Sequence, residues 1–177
     1  DYMWGKSTNQ VSVIETDARI PMKHALSQFV VRLKVSPEYH NDGNLTSAKL
    51  KATASKFATT GTMNLNDGGK ITFQPTSTEL TWSPNTTVPA QGQQAVDYAA
   101  AIYPMALAAG EVSLEVVIDG ATYTYAIPQI TWEAGKRYIY SITMRSNDAE
   151  IGGENGQSVT IEGWTSTEED ITLVPVK

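Results

Sequence analysis

The chain has 177 residues, enough for one domain with a full hydrophobic core. It contains no cysteine, which excludes disulfides, thiolate metal ligands and a cysteine nucleophile. Its net charge of −6, with 13 basic residues scattered along the length, argues against a nucleic-acid-binding surface.

Apolar and polar residues alternate with a period of two, which predicts β-strands along most of the chain. In the clearest strand, 28–35, alternate residues from Phe29 to Val35 share one face, and only Val30 breaks the polar row. Residues 111–127 predict a hairpin around the two-residue turn Asp119-Gly120. Further strands are expected at 12–15, 48–54, 63–65, 70–74, 79–82, 99–103, 136–145, 159–161 and 171–176.

Turn residues separate these strands, and no linker divides the chain. The pattern predicts an all-β fold, an antiparallel β-sandwich that forms a single domain over residues 1–177. Residues 95–107 are compatible with a helical turn, but Pro104 and the following hairpin favour a strand there. The polar segment 75–94 predicts a surface loop, either a decoration or a binding loop.

Residues that could carry catalysis are sparse. His24 and His40 are the two histidines and do not have metal-ligand spacing, and no nucleophile motif is present. The carboxylates at 168–170 predict a solvated turn rather than an acid–base pair. Segments 64–69 and 147–150 resemble parts of calcium loops but lack the full ligand run. We therefore expect no enzyme activity, no metal site and no cofactor.

An ordered set of sequence blocks resembles the fimbrillin superfamily, the type V pilins and related surface lipoproteins of Bacteroidales-type bacteria. The first block, 21–35, includes His24, Leu26 and Ser27 ahead of the strand, with Met22 where an aromatic residue is often found. The other blocks follow in the family's order at 59–65, 101–104, 112–125, 132–143 and 161–164.

The resemblance implies a transthyretin-like Greek-key sandwich of about seven to ten strands, corresponding to the family's C-terminal domain. It implies an upstream N-terminal domain and signal peptide, with a lipid anchor that attaches the protein to the outer membrane. The implied location is the cell surface or fimbrium. The implied partners are other fimbrial subunits, with a host or bacterial surface glycan or protein as further candidates.

The family assembles by strand exchange, which assigns residues 165–177 as a candidate exchange strand. The candidate residues are Ile171, Leu173, Val174 and Val176. In the isolated chain we expect this strand to pair internally, because terminal strands usually do and Pro175 shortens any ladder. The alternative function is a binding module that holds glycan or peptide on loop 75–94 through Trp82 and Asn85, since aromatic rings stack on sugars.

Overall fold

The computed structural model describes residues 1–6, 20–83, 86–87, 95–145, 148–151 and 160–163. The regular secondary structure of these residues is β-strand, apart from one 3₁₀ turn at Leu65–Asp67, and this confirms the all-β prediction. The predicted strands at 12–15 and 171–176 lie outside the described residues. The strands are β1 Met3–Gly5, β2 Met22–His24, β3 Ser27–Val35, β4 Asn44–Ala52, β5 Gly61–Asn64, β6 Lys70–Phe73, β7 Glu79–Trp82, β8 Thr86–Thr87, β9 Val96–Ile102, β10 Met105–Leu107, β11 Val112–Ile118, β12 Ala121–Ala126, β13 Ile130–Trp132, β14 Lys136–Arg145, β15 Asp148–Ile151 and β16 Thr160–Gly163.

Two five-stranded sheets account for most of the fold. Sheet I has the order β12-β11-β4-β7, with β8 also paired to β4, and sheet II has the order β15-β14-β3-β9, with β16 also paired to β14. Three small pairs, β1-β2, β5-β6 and β10-β13, stand beside them. Because of these short strands, the described residues contain more strands than the seven to ten expected.

One pairing departs from the antiparallel pattern. β3 and β14 run parallel, in register from Gln28 opposite Arg137 to Val35 opposite Met144. Parallel strands need a long connection, and the intervening chain builds sheet I and β9 before it returns. The other pairings between described strands are antiparallel.

Aromatic rings join the facing surfaces of the two sheets. Phe29 in sheet II stacks on Tyr140 at 4.5 Å between ring centroids and meets Trp82 of sheet I edge-on at 5.7 Å. Tyr125 of sheet I approaches Tyr140 edge-on at 6.4 Å. Each such ring pair contributes about 0.5–1.5 kcal/mol beyond the burial of apolar area. The two sheets therefore form a sandwich with one continuous core.

The outer face of sheet II also contains buried apolar residues. Val30, which breaks the alternation in the sequence, is fully buried and lies opposite Ile139, which is 1% exposed. Arg137 donates to Asp97 at 2.9 Å, although Arg137 lies in register with Gln28 and Asp97 with Arg32, four residues along β3. The Arg137 side chain therefore extends along the strands, across the row that contains Val30. The alternation of apolar and polar residues does not by itself predict that the Arg137 side chain covers this row.

A β-bulge interrupts β4 at its N-terminal end. Leu45 lies opposite Ile118 and Ser47 opposite Val117, so Thr46 is an extra residue. The bulge lets Leu45 and Ala48 both point into the core, although their odd spacing would place them on opposite faces of a regular strand. This explains why the alternation in the sequence predicts the start of this strand at residue 48.

The β11–β12 turn has the predicted two-residue form. Asp119 and Gly120 have φ values of 48° and 81°, as a type I′ turn requires. The Asp119 carboxylate accepts hydrogen bonds from the Tyr39 hydroxyl and, at 2.9 Å each, from the amides of Gly43 and Asn44. Burial and the neighbouring Asp119 raise the pKa of Tyr39 well above its ordinary value. The turn is therefore fastened to the connection between β3 and β4.

Candidate assembly surfaces

The start of β14 is fastened to the start of β3 by a compact set of hydrogen bonds. The Tyr138 hydroxyl donates to the Thr131 carbonyl at 2.7 Å and accepts from the Glu133 amide at 2.8 Å. The Ser27 hydroxyl donates to the Glu133 carbonyl at 2.8 Å, and the Gly135 amide donates to the Leu26 carbonyl at 2.9 Å. Burial raises the pKa of Tyr138, which extends to higher pH the range in which the phenol is neutral and can donate. This network explains why the 132–143 block combines glycine with tyrosine.

The edge of β14 opposite β3 is covered by two short strands from the C-terminal part of the chain. β16 pairs with the first half of β14, from Lys136 opposite Gly163 to Ile139 opposite Thr160. β15 pairs with the second half, from Ile142 opposite Ile151 to Arg145 opposite Asp148. The C-terminal part of the chain therefore adds strands to a sheet edge, in the manner of β-augmentation.

The sequence candidates for strand exchange cannot be placed on this edge. Ile171, Leu173, Val174 and Val176 lie outside the described residues, and so does Trp164. The last described residue, Gly163, lies opposite Lys136 at the beginning of β14. The role of the C-terminal segment remains a prediction from the sequence.

The N-terminal hairpin, β1 with β2, borders an open groove of about 580 Å³. The Trp4 ring lies against Gly69, and the Lys23 ammonium sits 5.6 Å from the centroid of the ring. His24, which lines this groove, contacts the Asp1 carboxylate. The Trp4–Gly69 contact was not predicted from the sequence. The available signal was the pair Gly68-Gly69, because a second glycine after the turn allows close approach of a ring.

Of the two residues proposed for glycan or peptide binding, the structure describes Trp82 and not Asn85. Trp82 is partly buried, and its ring packs against the core residue Phe29 rather than standing clear of the surface. Asn85 lies outside the described residues, as does 88–94 of the proposed loop. The tryptophan therefore contributes to the core of the sandwich, and the binding-module alternative gains no support from its position.

Charged side chains on the outer faces of the sheets pair with one another. Lys51 and Glu115 are 2.5 Å apart on sheet I, and Arg32 binds Asp97 on sheet II at 2.6 and 2.8 Å. His40 is exposed. Within the described ranges, no group of three or more His, Asp and Glu side chains is placed to hold a metal ion. The described part of the chain also contains no apolar helix of membrane-spanning length. The carboxylates at 168–170 lie outside it.

Solved structures of similar fold come from several Bacteroides species. A protein from Bacteroides ovatus thought to act in cell adhesion has a TM-score of 0.59 at 22% identity and aligns with 84% of this chain and 49% of its own. A Bacteroides uniformis protein with the same description has a TM-score of 0.58 at 19% identity, and the alignment covers 82% of this chain and 53% of that protein. A fimbrial protein from Bacteroides vulgatus has a TM-score of 0.52 at 18% identity, and the alignment covers 82% of this chain and 56% of that protein.

The chain therefore spans about half the length of these structures. At such identities the likeness establishes the sandwich fold. A comparison with curated protein sequences finds no match. A family model described as fimbrillin-like, however, matches residues 1–164, which is most of the chain and includes the β14 block with its Tyr138 network. The protein belongs to the fimbrillin-like family.

Proposed function

We propose that the protein is a cell-surface fimbrial subunit or fimbrillin-like adhesin that assembles with other fimbrial subunits. The observation that carries the proposal is the fimbrillin-like match over residues 1–164. Solved structures of the same fold include a fimbrial protein and proteins thought to act in cell adhesion. The role is mechanical rather than catalytic: the sandwich is a rigid unit that transmits force between neighbouring subunits.

Assembly occurs by β-strand exchange, in which the C-terminal segment of one subunit adds a strand to the next. Main-chain hydrogen bonds provide affinity, and alternate side chains fill pockets of the acceptor. Ile171 and Leu173 fall on one side of this strand, and Val174 and Val176 on the other. Each large apolar side chain contributes about 1.5–3 kcal/mol when it is fully buried.

The described C-terminal strands support this mechanism. β15 and β16 have four residues each and pair with β14 at separate places along one edge. A strand from another subunit would use the same main-chain interactions. The proposal includes attachment to the outer membrane by a lipid anchor upstream of Asp1, which the family resemblance implies.

The test is assembly of the full-length protein with changes in the C-terminal strand. The variant Ile171→Asp/Leu173→Asp removes the apolar side chains from one side of the strand, and Thr172→Ala between them is the matched control. Electron microscopy should show polymers for the wild type and the control but not for the double variant. Thermal unfolding should show an unchanged sandwich in all three proteins.

Polymers of normal length from the double variant would contradict strand exchange by this segment. Antibody labelling of intact cells tests the location independently. Surface labelling that disappears when the upstream segment is deleted supports the anchor, and labelling only after cell lysis contradicts a surface role.

A further inference from the structure

The strand β12 lies at one end of sheet I. It pairs with β11 on one side only, among the described residues. Ile118 and Ala121 close the two-residue turn, and the Ile127 amide donates to the Val112 carbonyl at 2.9 Å. The backbone N–H and C=O groups of the odd-numbered residues of β12 therefore form hydrogen bonds with β11. The N–H and C=O groups of Thr122, Thr124 and Ala126 point to the open side.

This edge lacks the features that usually prevent strands from pairing. Ala121–Ala126 contains no charge, proline or glycine, and threonine and tyrosine favour strands. The side chains of Thr122, Thr124 and Ala126 are exposed. By contrast, the edge strands β7 and β9 carry Glu79 and Asp97. An uncharged, regular edge of this length is a template for another strand.

We propose that β12 pairs with β12 of a second copy of this chain, antiparallel, with Thr124 on the two-fold axis. In this register Thr124 lies opposite Thr124 of the second copy, and Thr122 lies opposite Ala126. These three pairs use the residues whose backbone groups point outward, and each pair exchanges two hydrogen bonds. If one strand is shifted by two residues in either direction, some of the outward-pointing N–H and C=O groups are left without a partner.

The side chains match in the same register. Tyr123 of one copy lies opposite Tyr125 of the other, on the face that packs against the core. Both rings are only half-buried at the open end of the sandwich, so an added strand covers them further. Cross-strand aromatic pairs and threonine pairs are both favourable. No charged side chain of β12 opposes another, so the edge is complementary to itself.

The length of the ladder is limited by the chain itself. The turn Asp119-Gly120 ends β12 on one side, and Pro128, which has no N–H, follows it on the other. The contact is the same on both copies, so it closes at a dimer and does not propagate. It is therefore distinct from strand exchange, which is head-to-tail, and does not depend on it.

Sedimentation velocity of the 177-residue chain over a range of concentrations tests this dimer. Thr124→Lys places two ammonium groups across the two-fold axis and should weaken dimerisation about tenfold or more. Thr81→Lys is the matched control, because Thr81 is an exposed threonine on β7, the opposite edge strand of sheet I. It should dimerise like the wild type. The Ile171→Asp/Leu173→Asp variant should also dimerise normally, which separates this contact from strand exchange.

A single introduced cysteine provides a second measurement, since the chain has none of its own. Opposed residues of a hydrogen-bonded antiparallel pair have Cα atoms about 5.5 Å apart, within disulfide range. Thr124→Cys should therefore form a disulfide-linked dimer under mild oxidation much faster than Thr81→Cys. A wild-type chain that stays monomeric at all concentrations, a Thr124→Lys dimer of unchanged affinity, or equal cross-linking of the two cysteine variants overturns the proposal.

Discussion

The interaction between Asp119 and the β3–β4 connection allows a quantitative prediction. Its carboxylate accepts three hydrogen bonds, from the Tyr39 hydroxyl and the amides of Gly43 and Asn44. Each such bond contributes about 0.5–1.5 kcal/mol net. Asp119 also has a φ of 48°, a left-handed conformation that costs most residues about 1–2 kcal/mol but that Asn and Asp tolerate. Asp119→Ala should therefore lower the free energy of unfolding by about 2.5–6.5 kcal/mol.

Two further substitutions separate the hydrogen bonds from the backbone conformation. Asp119→Gly loses the hydrogen bonds but adopts positive φ without strain, so we expect a loss of about 2 kcal/mol. Asp119→Asn keeps one acceptor oxygen and tolerates the turn, so we expect a loss of about 1 kcal/mol. The expected order of stability is wild type, Asn, Gly and then Ala.

Urea unfolding followed by tryptophan fluorescence measures these differences. A shift of 1 kcal/mol changes the melting temperature of a chain of this size by about 2–4 °C, so thermal unfolding provides an independent check. A double-mutant cycle of Tyr39→Phe with Asp119→Ala should show a coupling of about 1 kcal/mol. Equal stability of the Asn and Ala variants, or additive losses in the cycle, would refute the assigned role of the carboxylate.

Two further predictions concern Gly69 and Tyr140. Gly69→Ala should destabilise the protein more than Gly110→Ala by about 1 kcal/mol or more, because both glycines have φ above +70° but only a β-carbon at Gly69 overlaps the Trp4 ring. Urea unfolding measures this difference in stability, and Trp4→Ala should remove it. Equal losses of stability in the two glycine variants contradict the contact. Burial raises the pKa of Tyr140 above its ordinary value of about 10, so its stabilisation is complete below pH 10 and is lost as the pH rises through the folded-state pKa. Between pH 10 and 12 the unfolding free energy of Tyr140→Phe should fall less steeply than that of the wild type, by up to about 1.4 kcal/mol per pH unit. Parallel plots of unfolding free energy against pH for the two proteins would show that the phenol does not titrate in this way.

The sequence by itself determined the elements whose cause is local. The strands β7 and β14 have their predicted bounds, because alternation and flanking turn residues act within a few positions. The Asp119-Gly120 turn follows from the tolerance of these two residues for positive φ. The family resemblance also came from ordered blocks of sequence, and the match over residues 1–164 confirms it.

Only the tertiary structure decided how distant strands combine. The parallel pairing of β3 with β14, the burial of Val30 beside Ile139 and the packing of Trp82 against Phe29 join residues far apart in sequence. The bulge at Thr46 depends on β11, which supplies the register against which an extra residue is defined. Alternation indicates which residues of a strand share a face, but the arrangement of strands in the folded protein determines what each face packs against and what each edge pairs with. The edge of β12 that no described strand covers became visible for the same reason, since the order of strands in a sheet is a property of the folded chain.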